Sequence, residues 1–308
     1  MATDTTPADR PARRRRVLWA GLSMPAIAWL AVFFVVPFYA VLAVAGGQID
    51  ELQGKLLPEW NPFEWSRASF EAVIQDFTGP GSFLAPLVER TVAYVILASL
   101  LALVIGYPAA YYVSRFAKRR KGLLLALLLA PFWVSYMMRM LAWIGLLQTD
   151  GYVNRVLIRL HLISTPVAWL GGKASTVILG LTYGYVPYLI LVLYAGLDRI
   201  DGSLIEAGRD LGLNRVRTFM RITLPLSRQT IITALLITML PMAGDYFTNQ
   251  MLSGATNTSM LGNAIQGQLQ STALQTQGAA LSLMMLGVLA IPMIYYVVVT
   301  NRASQEAA

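Results

Sequence analysis

The chain has no cysteine, one histidine and few charges, with Asp, Glu, Lys and Arg making up 13% of its 308 residues. The missing cysteines exclude disulfides and thiol chemistry and leave the compartment open. The lone histidine, His161, falls on an outer loop and is assigned no role. No polar catalytic cluster stands out, so no enzyme activity, cofactor or metal site is expected. A phosphate loop is also missing: Gly171-Gly172-Lys173 is followed by Ala174, and Val167 stands where the GxxxxGK[ST] pattern needs its first glycine. If ATP drives this protein, another chain hydrolyses it.

What fills the sequence instead is apolar length. A 56% hydrophobic content and a mean hydropathy of +0.57 lie far from a soluble domain of this size. Six stretches, near 17–45, 88–114, 122–148, 174–196, 229–252 and 279–300, reach the twenty or so residues needed to cross a hydrocarbon core about 30 Å thick. The expected fold is therefore all-α, a polytopic membrane protein with six transmembrane helices. A basic tail over 1–16 precedes the first span at 17–45, an external loop covers 46–87, five spans occupy 88–300, and a second tail closes the chain at 301–308. Arg13 to Arg16 before an apolar run, with Ala43-Val44-Ala45 after it, imitate a signal peptide. The run is about twice the usual apolar region of such a peptide, so it reads as a retained helix with bends at Pro25 and Pro37.

Lys and Arg set the expected orientation, because short cytoplasmic loops carry their excess. Arg10 and Arg13 to Arg16 lie in the tail, Arg115, Lys118, Arg119, Arg120 and Lys121 in one loop, and six arginines between 197 and 228, with Arg302 at the end. The opposite side holds Lys55, Arg67, Arg155, Arg159 and Lys173, leaving Arg90 and Arg139 at or inside the membrane. Both termini are thus expected in the cytoplasm of a bacterial cell, the chain lying in its inner or plasma membrane. A net charge of +8 and a pI near 9.8 are better explained by anionic lipid than by nucleic acid, since the charges border the spans.

The external segments differ. In the first, six acids (Asp50, Glu51, Glu59, Glu64, Glu71, Asp76) face two bases, a surplus that suits either a cationic partner or a merely solvated loop. Segment 253–278 has no charge and five glutamines. Such a segment can enter the membrane mouth as a gate only where it lines protein or water.

Residues 206 to 225, EAGRDLGLNRVRTFMRITLP, form a charged island between two spans. Ser203 three residues before Glu206 is a capping-box spacing, and Leu204, Ile205 and Leu211 with the small Ala207 and Gly208 mark one helical face. Gly212 suits a left-handed helix end. That face can dock on protein or lie on lipid headgroups. The spacing of Glu206, Ala207, Gly212, Ile222, Leu224 and Pro225 resembles the EAA loop of ABC importer permeases, with Gly208 where that family usually has a second alanine. The resemblance implies a type I ABC importer permease fold whose loop, 203–225 here, couples through Glu206, Ala207, Gly208 and Gly212 to a pair of cytoplasmic ATPase subunits.

Within the spans, Asp245 is the clearest ionisable group, since a charge at membrane depth needs a partner or a cavity. Counted along straight helices at 1.5 Å per residue, Asp245 and Arg139 reach a similar depth of roughly 25 Å, which permits an ion pair. Pro241 and Gly244 are expected to break the helix beside them, as where helices line a solute path. Two roles for Asp245 stay open: neutralising Arg139, or meeting a cationic solute. Trp133, Tyr136, Trp143, Tyr183, Tyr185 and Tyr246 offer ring faces to a cation, or serve as packing and interfacial belt.

Pro131 to Ser135, Arg139, Ala142-Trp143, Asp150 to Asn154 and Gly244-Asp245-Tyr246 together resemble the PotB-type permeases of spermidine/putrescine importers, over about residues 85 to 300. That resemblance implies a polyamine cargo, a solute-binding protein outside, a second homologous permease and ATPases below; related permeases carry iron, thiamine or opines. Three classes follow. An importer permease is favoured by the docking loop, an ion-coupled secondary transporter would use Asp245, and a membrane enzyme lacks its catalytic cluster.

Overall fold

The computed structural model describes residues 21–50 and 55–306. The basic tail 1–16, the first residues of the opening span, Glu51 and the last two residues of the C-terminal tail lie outside the described residues.

Helices dominate. In chain order come α1 (Gly21–Ala45), the strands β1 (Gln48–Asp50) and β2 (Lys55–Leu57), α2 (Ala68–Thr78), α3 (Leu84–Arg115), α4 (Lys121–Trp133) and α5 (Tyr136–Leu147). There follow α6 (Tyr152–Arg159), α7 (Ala174–Leu197), α8 (Gly202–Asp210), α9 (Arg215–Ala243), α10 (Phe247–Leu252), α11 (Leu261–Gln270) and α12 (Gln275–Glu306). Among the described residues, α1, α3, α7, α9 and α12 are each long and apolar enough to cross a membrane, and α4 with α5 forms a sixth, broken span.

Two compact units emerge. The first contains residues up to Val73 together with Gln268–Leu286. In it β1 and β2 pair antiparallel, Gln48 opposite Leu57. Trp65 is drawn in by its indole N–H, which donates to the Glu59 carbonyl at 2.8 Å. A side chain at Gly46 would overlap the Trp65 ring, its Cβ only 2.5 Å from Cγ, so the glycine makes room for the indole.

The second unit, Ile74–Gly267 with the rest of α12, is built on α3, α7 and α9. Their shared core holds Ala102, Tyr107 and Ala110 of α3, Leu189, Ile190, Leu193 and Leu197 of α7, and Ala234 of α9. Small residues permit the close approach expected between helices in lipid, where packing rather than the hydrophobic effect drives association. A Cβ on Gly106 would lie 2.8 Å from the Leu189 side chain, and one on Gly196 would lie 2.1 Å from Thr230 Oγ1. The outward faces, with Val104, Ile105 and Leu100 exposed, present the apolar surface that lipid tails cover. At one end, Arg115 donates to the Leu197 carbonyl at 3.0 Å and Lys121 pairs with Asp198, joining the 115–121 loop to the end of α7.

Two expectations change. The stretch read as one span over 122–148 breaks at Val134-Ser135, where the chain becomes extended and α4 meets α5 at 86°. Pro131 lies in the tightened last turn of α4, short of one backbone donor. The expected span beginning at 229 is the second half of a helix that already starts at Arg215 and passes through a π-turn over Phe219–Thr223, where the Leu224 N–H bonds to the Phe219 carbonyl just before Pro225. Its far end stops at Ala243, short of the expected 252, and the chain resumes as α10. The uncharged segment 253–278, whose secondary structure the sequence left open, is mostly helical, containing α11 and the start of α12.

Candidate functional site

Pro241 and Gly244 end α9, and the chain turns before α10. Asp245 N–H bonds to the Met242 carbonyl at 3.2 Å instead of the Pro241 carbonyl that a continuing helix would use. The freed Pro241 carbonyl lies 3.3 Å from the Tyr185 hydroxyl. Asp245 stands just before the new helix, whose N-cap is Tyr246: its Oδ1 accepts from the Thr248 N–H at 2.9 Å, one of the first-turn amides that a helix leaves without a partner of its own.

Its other oxygen is equally engaged. Oδ2 accepts from the Thr248 hydroxyl at 2.6 Å, from Tyr136 at 3.2 Å and from Tyr185 at 3.3 Å. Asp245 is 8% exposed, and a carboxylate this deep needs donors in place of its lost water. Gly184 makes part of this possible, since a Cβ there would come 2.9 Å from the Tyr136 hydroxyl.

These groups border a cavity of about 370 Å³ lined by Tyr136, Arg139, Tyr185, Tyr188, Asp245 and Tyr246, among others. Arg139 is also 8% exposed. Its guanidinium lies over the rings of Phe132 and Tyr136, 5.0 and 5.1 Å from their centroids, and its Nε has no hydrogen-bond partner. The Arg139–Asp245 ion pair that equal depth permitted is not formed; the pair found among the described residues is Lys121 with Asp198. The depth argument that permitted it assumed a straight helix up to Arg139, and the 86° break removes that assumption.

Of the residues singled out in the sequence, Tyr136, Arg139, Tyr185, Asp245 and Tyr246 come together at this cavity. Trp133 and Trp143 do not. Trp133 is 86% exposed, and Trp143 packs edge-on against Tyr183, ring centroids 5.2 Å apart. Sequence reasoning missed Phe132, Gly184, Tyr188 and Thr248. Only Thr248 carried a local signal, the Asp-x-x-Thr spacing directly after a Pro and Gly break.

The second cluster lies on α8 and the start of α9. The cap of α8 is Asp201, whose carboxylate accepts from the Ser203 N–H at 3.0 Å. This corrects the capping-box expectation: the helix starts at Gly202, so Ser203 and Glu206 are inside it. The Ser203 N–H holds the Asp201 carboxyl below its ordinary pKa. Gly212 has φ +84°, the left-handed conformation expected of it, and the Leu213 N–H returns to the Gly208 carbonyl at 3.1 Å. Gly208 is buried against Ile222, whose Cδ1 would lie 2.3 Å from an added Cβ. Glycine at this position therefore gives Ile222 space that an alanine would take. Glu206 and Ala207 face outward with Leu204, Leu211, Val216 and Met220, so apolar side chains are exposed on a charged loop.

Residues 98–305 match the family of binding-protein-dependent transport system inner membrane components. The chain belongs to that family. This inner membrane component is 30% identical over 274 residues to the spermidine/putrescine transport system permease protein PotB of Escherichia coli (strain K12), covering 88% of this chain and 93% of that protein. PotB of Haemophilus influenzae is 31% identical over 256 residues, covering 83% of this chain and 84% of its own. A bacterial alginate ABC transporter, crystallised with an alginate pentasaccharide-bound periplasmic protein, has a chain that superposes at a TM-score of 0.72 with 17% identity, over 96% of this chain and 97% of its own. The inner membrane component thus has the type I importer permease fold and is a multi-pass permease of the ABC importer class.

Proposed function

We propose that this permease forms one half of the membrane pathway of an ATP-driven polyamine importer. The observation that carries the cargo assignment is the buried Asp245 carboxylate in a tyrosine-lined cavity at a broken span. A polyamine carries several positive charges at neutral pH and, once desolvated, needs a carboxylate or ring faces to offset lost hydration. The polyamine names of the relatives, at about 30% identity over most of the chain, point the same way.

In this reading both termini are cytoplasmic, and α8 docks in a cleft of a separate ATPase, Leu204, Leu211 and Ala207 being covered on docking. A second permease completes the pathway, and an extracytoplasmic binding protein delivers the solute. Hydrolysis drives the pathway between inward-open and outward-open arrangements. The test is the assembled complex in proteoliposomes with labelled spermidine. ATP-dependent, binding-protein-dependent accumulation is expected. Accumulation of iron, thiamine or an opine in its place would reassign the cargo, and uptake driven by an ion gradient without ATP would overturn the importer reading.

A further inference from the structure

Arg139 and Asp245 line one cavity without pairing. The carboxylate is already met by uncharged donors, two tyrosine hydroxyls and the hydroxyl and N–H of Thr248. The guanidinium rests instead on two ring faces, Phe132 and Tyr136, with its Nε unpartnered. Tyr136 serves both charges, its hydroxyl reaching Asp245 and its face carrying Arg139. A ring face attracts whichever cation lies over it.

We infer that Arg139 is a resident cation that occupies the aromatic seat a substrate ammonium needs on its way to Asp245. It thereby sets how loosely this pathway holds its cargo. The inference rests on the polyamine reading and adds a specificity-determining residue to it. A cavity with a carboxylate and four tyrosines, Tyr136, Tyr185, Tyr188 and Tyr246, would otherwise bind a polycation tightly. Tight binding is the wrong property for a pathway, since the cargo must leave again. A guanidinium already in the cavity repels the incoming charge, and repulsion is weakly screened away from bulk water. Arginine suits the task because its flat, permanently charged group stacks on rings. If the guanidinium instead received an acceptor group of the substrate, its removal would weaken binding, the opposite outcome.

The experiment measures initial spermidine uptake by the assembled importer in proteoliposomes for the wild type and for Arg139→Gln, Arg139→Met and Arg139→Lys. Methionine keeps an apolar chain against Phe132 and Tyr136, which guards against a packing defect in the glutamine variant. Loss of the resident charge is expected to lower KM about tenfold in both neutral variants, on the scale of a desolvated cation–ring contact. Turnover should fall with it, because release slows. The lysine variant keeps the charge but loses the flat stack on Phe132 and Tyr136, so its KM should lie between the wild type and the neutral variants. An unchanged or raised KM in the neutral variants overturns the inference. So does their absence from the membrane while the lysine variant assembles, since the charge would then be needed for folding. A wild-type complex that carries no spermidine refutes the polyamine reading itself, and this inference with it.

Discussion

The cavity at the α9–α10 break and the loop around α8 each invert the chemistry of their surroundings. In the cavity, polar and charged groups lie deep among apolar spans, and the Asp245 carboxylate is met by four donors. Around α8, apolar side chains stand out on a charged loop, Leu211 being 85% exposed. A buried charge must be compensated within the fold, so the cavity is closely bonded. An exposed apolar face needs nothing from its own chain and leaves room for a partner. The first region is therefore sensitive to the loss of single atoms, and the second to bulk and backbone shape.

The largest effect should come from the loop. Gly212 has φ +84° and open space around it, so a tryptophan there adds both strain and volume to the loop proposed to dock. Gly212→Trp is expected to insert and assemble in the membrane yet reduce solute-stimulated ATP hydrolysis to background. Coupled hydrolysis at the wild-type rate would remove α8 from the ATPase interface.

Next in size is the carboxylate. Asp245→Asn keeps an acceptor for the Thr248 N–H while removing the charge, and a charge-assisted bond contributes about 1.5–3 kcal/mol. The spermidine KM should rise about tenfold to a hundredfold by that conversion, with little loss of protein from the membrane. Because Arg139 and Asp245 form no ion pair, adding Arg139→Gln should not restore expression. Recovery of expression in the double variant would show that the two charges neutralise each other after all. Unchanged uptake in the single variant would take Asp245 out of the pathway.

The two regions were also unequally legible in the sequence. At the loop, Gly212 announced its left-handed turn, because only the local backbone decides that conformation. Ser203 misled, since Asp201 two residues earlier can cap equally well and the helix starts from it. At the cavity, the Pro241-to-Gly244 break was visible, but the partners of Asp245 were not. Tyr136 and Tyr185 come from other helices, and their convergence depends on a glycine at 184 and on the α4–α5 break. Hydropathy averages over a bend, so that broken span read as straight. The π-turn within α9 was equally silent, because a proline such as Pro225 ends most helices and is accommodated in this one.

Gly184 offers a finer probe of the cavity. An alanine Cβ would come 2.9 Å from the Tyr136 hydroxyl and 3.2 Å from its Cε2. The ring must move, and its 3.2 Å bond to Asp245 with it. Gly184→Ala should raise the spermidine KM about fivefold, the scale of one hydrogen bond near 1 kcal/mol. Tyr136→Phe should match it if the hydroxyl alone matters. A larger loss in Tyr136→Phe than in Gly184→Ala would mean that the ring adapts to the methyl without losing its bond.

The smallest effect should appear at the cap of α8. Asp201 accepts from the Ser203 N–H at 3.0 Å, and that bond lowers the carboxyl pKa. A depressed carboxyl contributes stability that is present above its unfolded value, about 3.9, and is lost as pH falls through the lower folded value. At neutral pH the cap is therefore fully formed, and ordinary assay conditions should reveal no titration of it. Asp201→Asn retains an acceptor and should leave the loop unchanged, whereas Asp201→Ala removes it. Hydrogen exchange at the first amides of α8, including Ser203 and Leu204, should quicken in the alanine variant alone, with a modest loss of coupled hydrolysis. Equal exchange in the wild type and both variants would show that packing of Gly208 against Ile222 holds the helix start without its cap.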